Sequence, residues 1–158
     1  MERIDCATRT IAAPPAAVYD ALLDRDSLEA WLPPDGMHGR ITDWDPRPGG
    51  GFHMVLTYLD PVGNPGKTSD ATDVIDVAFA ELLPGQRVVQ TAVFEADDPS
   101  FTGTMTMTWT LTASDAGTEV TVTATNVPSG IDQVVHEAGI ASSLANLASF
   151  AEGRSHTD

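Results

Sequence analysis

One stretch limits what this chain can fold into. Ser129 to Gly153 reads as a single long helix and is the last regular element. Ser129 can cap it with Asp132 three residues on, and Gly153 is a natural stop. Roughly 22 helical residues span about 33 Å at 1.5 Å per residue. One stripe carries His136, Ile140, Leu144 and Leu147, and a neighbouring stripe is small: Ala138, Ala141, Ala145 and Ala148. Such a helix can lie close against a sheet, and nothing else in the chain is long enough to cover one.

The rest of the chain supplies the sheet. Thr104 to Thr112 alternates without a break, threonines on one face and Met105, Met107, Trp109 and Leu111 on the other. Asp115-Ala116-Gly117 is a hairpin turn, and Thr118 to Asn126 repeats the pattern with Val120, Val122 and Ala124. Earlier strands are expected at 39–45, 52–59, 71–82 and 87–95. Phe52, Met54, Leu56 and Tyr58 share one face of the second of these, and Ile75, Val77 and Phe79 one face of the third. Asp76 alternates to solvent. Residues 60–70, rich in Pro, Gly, Asn and Asp, read as a hairpin loop.

Residues 3–11 begin a first strand, with Ile4 and Cys6 on one face and Arg3, Asp5 and Arg9 on the other. Pro14-Pro15 opens a short helix bearing Val18, Tyr19, Leu22 and Leu23. A second capping spacing, Asp26 with Glu29, starts another that carries Leu28, Trp31 and Leu32 and stops at Pro33-Pro34. The expected class is α+β: a strand, two short helices, a run of short-linked antiparallel strands, and one long helix on the apolar face.

Composition narrows the partners. The chain has 158 residues, enough for one domain, expected over 1–153 with a tail at 154–158. A net charge of −15 argues against nucleic acid and anionic membrane surfaces. Cys6 is the only cysteine, so no intrachain disulfide forms; Met1 to Asp5 lacks the apolar run of a signal peptide, and no stretch approaches a membrane span. A cytoplasmic location is the resulting expectation. Lys67 is the only lysine and lies in a turn-like segment, poorly placed for a Schiff base.

Three stretches together carry a resemblance: Ile11 to Leu22 running on to Trp31, Asp45-Pro46-Arg47-Pro48-Gly49-Gly50-Gly51-Phe52, and His136-Glu137-Ala138-Gly139-Ile140 with Leu144 and Leu147. Their order and spacing resemble the START-like (SRPBCC) helix-grip superfamily, in the branch similar to the C-terminal domain of the heat-shock-protein ATPase activator. The resemblance implies a curved antiparallel sheet of about six strands around a C-terminal helix. It also implies a cavity between them that often takes lipid-like or aromatic molecules. Cyclases, hydrolases and transport proteins share the fold, so fold alone does not assign activity. In that branch a tryptophan usually follows the helix glycine; here Ile140 does, which leaves extra room inside unless neighbouring side chains refill it.

No motif for catalysis is complete. His136-Glu137 starts the zinc pattern H-E-x-x-H, but its last position is Ile140, so no metal and no other cofactor is expected. His136 is instead a helix-face histidine, or a polar anchor and proton carrier inside the cavity. Gly49-Gly50-Gly51 lacks phosphate-loop spacing and reads as a tight turn. Ser142-Ser143 lacks a nucleophile-elbow context.

The expected ligand-binding lining is Phe52, Met54, Leu56, Tyr58, Val77, Phe79, Met105, Met107, Trp109, His136, Ile140 and Leu144. Tyr58 and Trp109 each bring a polar atom for orientation. The expected function is binding of an apolar or aromatic small molecule by a monomer or homodimer. The alternatives are a cyclase- or hydrolase-like enzyme on a polyketide-type substrate, and a co-chaperone-like partner of an ATPase.

Overall fold

The structure is a computed structural model, and it describes residues 3–33, 36–59 and 72–155. The elements run β1 (Ile4–Ile11), α1 (Pro15–Leu22), α2 (Arg25–Trp31), β2 (Met37–Asp45), β3 (Gly51–Tyr58), β4 (Thr72–Leu83), β5 (Arg87–Glu95), β6 (Met105–Ser114), β7 (Gly117–Thr125) and α3 (Gln133–Ser155). The strands form one antiparallel sheet in the order β1-β7-β6-β5-β4-β3-β2. It has seven strands rather than about six, because β1 pairs with β7 along its whole length. The expected hairpin loop at 60–70, with Lys67, lies outside the described residues, as does His156.

The β6–β7 alternation holds as read. Trp109 opposes Val122 and Leu111 opposes Val120, all four buried, while Thr108–Thr123 and Thr110–Thr121 pair on the other face. The turn before β3 is backbone geometry: Gly49 has φ +88°, and a Cβ at Gly51 would strike the Val77 carbonyl of the neighbouring strand. Asp76 is exposed, as alternation requires, and its carboxylate meets His53 Nδ1 at 2.7 Å.

Both sheet edges are capped by carboxylates from helices. On β1, Cys6 N–H donates to Glu137 at 2.9 Å, and just past its end Ala12 N–H donates to Glu152 at 3.0 Å. Gln133 donates to the Ile4 carbonyl at 3.1 Å. On β2, Ile41 N–H donates to Glu29 at 2.6 Å. Bare strand edges invite pairing with other chains, and these side chains occupy them instead.

Four sequence expectations need correcting. The face of β1 is inverted at its start: Ile4 is exposed and Asp5 is fully buried, because Arg3 and His136 satisfy the carboxylate. The long helix is capped by Asp132, whose side chain accepts from Val135 N–H at 3.0 Å, so it starts at Gln133 rather than Ser129. It also runs past Gly153 to Ser155. Asp24, not Asp26, caps α2 by accepting from Ser27 N–H at 2.9 Å, which frees Glu29 for the β2 edge. The small stripe of α3 is only partly inward: Ala148 is buried, Ala138 and Ala141 are exposed.

Candidate functional site

A cavity of about 330 Å³ lies between the inner sheet face and the first half of α3. That volume is at the lower end of the range for small-molecule sites, roughly 300–1,000 Å³. Strand alternation builds its floor. Phe52, Met54, Leu56 and Tyr58 come from β3, Val77 from β4, and Met105, Met107 and Trp109 from β6. The helix contributes His136, Gly139, Ile140 and Ser143.

Ten of the twelve expected lining residues therefore border one space. Phe79 and Leu144 do not. Phe79 is spent in an aromatic cluster, 5.7 Å from the Phe52 ring and 6.0 Å from Trp44. Leu144 is fully buried one turn beyond Ile140, where the chain after α2 crosses the helix. There Ser143 Oγ donates to the Leu32 carbonyl at 2.6 Å and Asn146 to the Pro33 carbonyl at 3.1 Å. These bonds tie the chain after α2 to the helix, and Leu32 forms part of the cavity wall.

Polar groups also reach the cavity. Asp73 and Gln90 are both buried and both line the cavity. The period-two rule that sends Asp76 outward sends Asp73 inward with Ile75, and Gln90 shares a face with Val88 and Ala92. Trp109 Nε1 is not available to a ligand, since it donates to Gln90 Oε1 at 3.2 Å. The Trp109 ring also stands edge-on to Trp31 at 5.6 Å. The Tyr58 hydroxyl is pushed above the usual phenol range, first by burial and then by the Asp73 charge.

At the start of α3 sits a charged cluster. Asp5 accepts from Arg3 Nε and Nη2, each at 2.8 Å, and its Oδ2 lies 2.7 Å from His136 Nδ1. Arg3 Nη2 also donates to the Ile131 carbonyl at 2.7 Å. Burial alone would raise the Asp5 pKa, but the hydrogen bonds and positive charge from Arg3 and His136 outweigh it. The Asp5 carboxyl is held below the ordinary range. No group of three or more histidine, cysteine or acidic side chains among the described residues has the geometry to hold a metal ion. No helix among them is long and apolar enough to cross a membrane.

The family described as Activator of Hsp90 ATPase homolog 1-like protein matches residues 12–152. The chain belongs to this family. Protein CV1439 from Chromobacterium violaceum has a similar solved structure, at 29% identity and TM-score 0.83, over 94% of this chain and 96% of that one. An AHSA1-like protein from Aeromonas hydrophila shares the fold at 17% identity and TM-score 0.71, over 97% and 94% of the two chains. DynU16, from the dynemicin biosynthetic locus, shares it at 19% identity and TM-score 0.67, over 96% of this chain and 48% of that one. No curated protein matches the chain.

Proposed function

We propose that the protein binds a hydrophobic or aromatic small molecule between its sheet and the first half of α3. The observation that carries this reading is the cavity itself: about 330 Å³, walled mostly by aliphatic, aromatic and methionine side chains. Thioether and aliphatic walls adapt to loosely specified apolar shapes. The few polar groups, Asp73, Tyr58, Gln90 and His136, orient a ligand rather than supply most of its affinity. Ile140 supports the reading further, since it stands where the family branch usually has tryptophan.

The test is native mass spectrometry of freshly purified protein, followed by titration with a hydrophobic fluorescent probe. A co-purifying small molecule, or saturable probe uptake that Ile140→Trp abolishes, is the expected result. Neither a bound molecule nor probe uptake would end this reading and move the co-chaperone-like alternative to first place.

One observation favours a second reading, an enzyme acting on a polyketide-type substrate. His136 borders the cavity and is hydrogen-bonded to a buried carboxylate, an arrangement suited to carrying a proton. A His136→Ala variant that still binds ligand but no longer converts it would favour the enzyme.

A further inference from the structure

The Arg3–Asp5–His136 chain does more than pin β1 to α3. Asp5 is fully buried, and both of its oxygens accept from the guanidinium of Arg3. A carboxylate held that way is an acceptor only. Its remaining contact is His136 Nδ1, at 2.7 Å, so the ring proton sits on Nδ1. The other nitrogen, Nε2, is then a lone-pair acceptor when the imidazole is neutral. It has no partner among the described residues, and His136 borders the cavity.

Several other polar atoms of the cavity wall and of α3 are committed. Ser143 Oγ donates to the Leu32 carbonyl and Trp109 Nε1 to Gln90. Glu137 is held by the Cys6 N–H, and Asp132 caps the helix. The cavity-lining residues next to His136 on the helix, Val135, Gly139 and Ile140, are apolar, and Met107 on the sheet borders the same space. An acceptor in apolar surroundings gains most from a ligand that brings its own donor.

We infer that His136, oriented by Asp5 as a positioning residue, forms a hydroxyl-recognising subsite, and that the ligand is a hydroxylated aromatic whose O–H donates to Nε2. The inference rests on the ligand-binding reading and names its chemical class. A phenol suits both halves of the site, since its ring fills the apolar volume and its hydroxyl meets the acceptor that Asp5 orients. The same ring without a donor leaves Nε2 desolvated and unpaired, which costs affinity.

The experiment compares 2-naphthol with 2-methoxynaphthalene, in which a methyl group replaces the one donor hydrogen, using the full chain at a single pH for every variant. Wild type binds the naphthol roughly tenfold tighter than the ether, the worth of one hydrogen bond at a desolvated acceptor. His136→Phe brings the two affinities to within about twofold of each other, because the donor's partner is lost. Nitrogen-15 spectra of the imidazole place the proton of wild-type His136 on Nδ1. Asp5→Asn, which adds an amide donor at the same spot, mixes the tautomers and shrinks the preference.

A wild-type proton on Nε2, equal affinity for the two naphthalenes, or a preference that survives His136→Phe would overturn the inference and leave the cavity reading standing. An unchanged tautomer and preference in Asp5→Asn would overturn the positioning role of Asp5. Failure of both naphthalenes to bind would overturn the inference, and if the probe dye is also refused, the cavity reading falls with it.

Discussion

The two halves of α3 are built by different rules. In the second half Leu144, Leu147, Ala148 and Ala151 are almost fully buried. They belong to the buried core, and α3 packs against β1, α1 and α2. In the first half Val134 and Val135 are 75% and 68% exposed, His136 is half-buried, and Gly139, Ile140 and Ser143 face a cavity. The second half combines buried volume with two hydrogen bonds, from Asn146 to Pro33 and from Ala12 N–H to Glu152, whereas the first relies on polar contacts: Asp5 to His136, Cys6 N–H to Glu137, and Ser143 to Leu32. One helix thus anchors the fold at one end and leaves room for a guest at the other. The difference teaches that a continuous apolar stripe does not mean a continuous core.

The largest expected effect comes from deleting side chains on that stripe. Leu147→Ala empties a fully buried site and is expected to cost about 4 kcal/mol, while Ile140→Ala, beside existing space, costs about 2 kcal/mol. Urea unfolding with unchanged m-values checks the pair. Equal costs would mean that the two halves are packed alike.

Filling is the second comparison. Ile140→Trp adds bulk beside the cavity and is expected to change stability by less than about 1 kcal/mol, whereas overpacking a closed core costs about 1–3 kcal/mol. A thermal melt with and without a hydrophobic probe reads both stability and uptake. A sharp fall in melting temperature, together with no uptake by wild type, would make the first half as solid as the second.

What the sequence reveals follows the same division. Period-two alternation in β6 and β7 and the apolar face of β3 are local patterns, and they place Trp109, Met105, Phe52 and Met54 on the inner face without tertiary knowledge. Where a third element intervenes, local pattern is not enough. Leu144 shares the Ile140 stripe, but the chain after α2 closes over it through bonds from Ser143 and Asn146. Phe79 alternates correctly yet is claimed by Trp44 and Phe52. Asp5 reads as an outward charge until Arg3 and His136, 131 residues away in the latter case, are brought to it. Asp73 was legible from alternation alone, since it is two residues before Ile75 on the same strand face.

The smallest effect separates the halves by what holds them. Folding lowers the Asp5 pKa, because the contacts from Arg3 and His136 overcome its burial. The unfolded chain, near the ordinary value of about 3.9, therefore binds more protons than the folded one between the two values. The stability this carboxylate contributes is complete above the unfolded value and is lost as pH falls towards the folded one. Between about pH 5 and about pH 3, wild type should lose more stability than Asp5→Asn, which has no such group to protonate. Asp98 is also held below its usual range by Ser100, but it is common to both proteins and cancels. Urea unfolding at the two pH values measures the difference. Hydrogen exchange then locates it: acid should release Gly139 to Ser143 before Leu147 to Ala151, since the first half depends on the ionised carboxylate and the second on buried volume. If the whole helix loosened together, Asp5 would be supporting the entire fold, and the division of α3 into a packed half and a receptive half would be wrong.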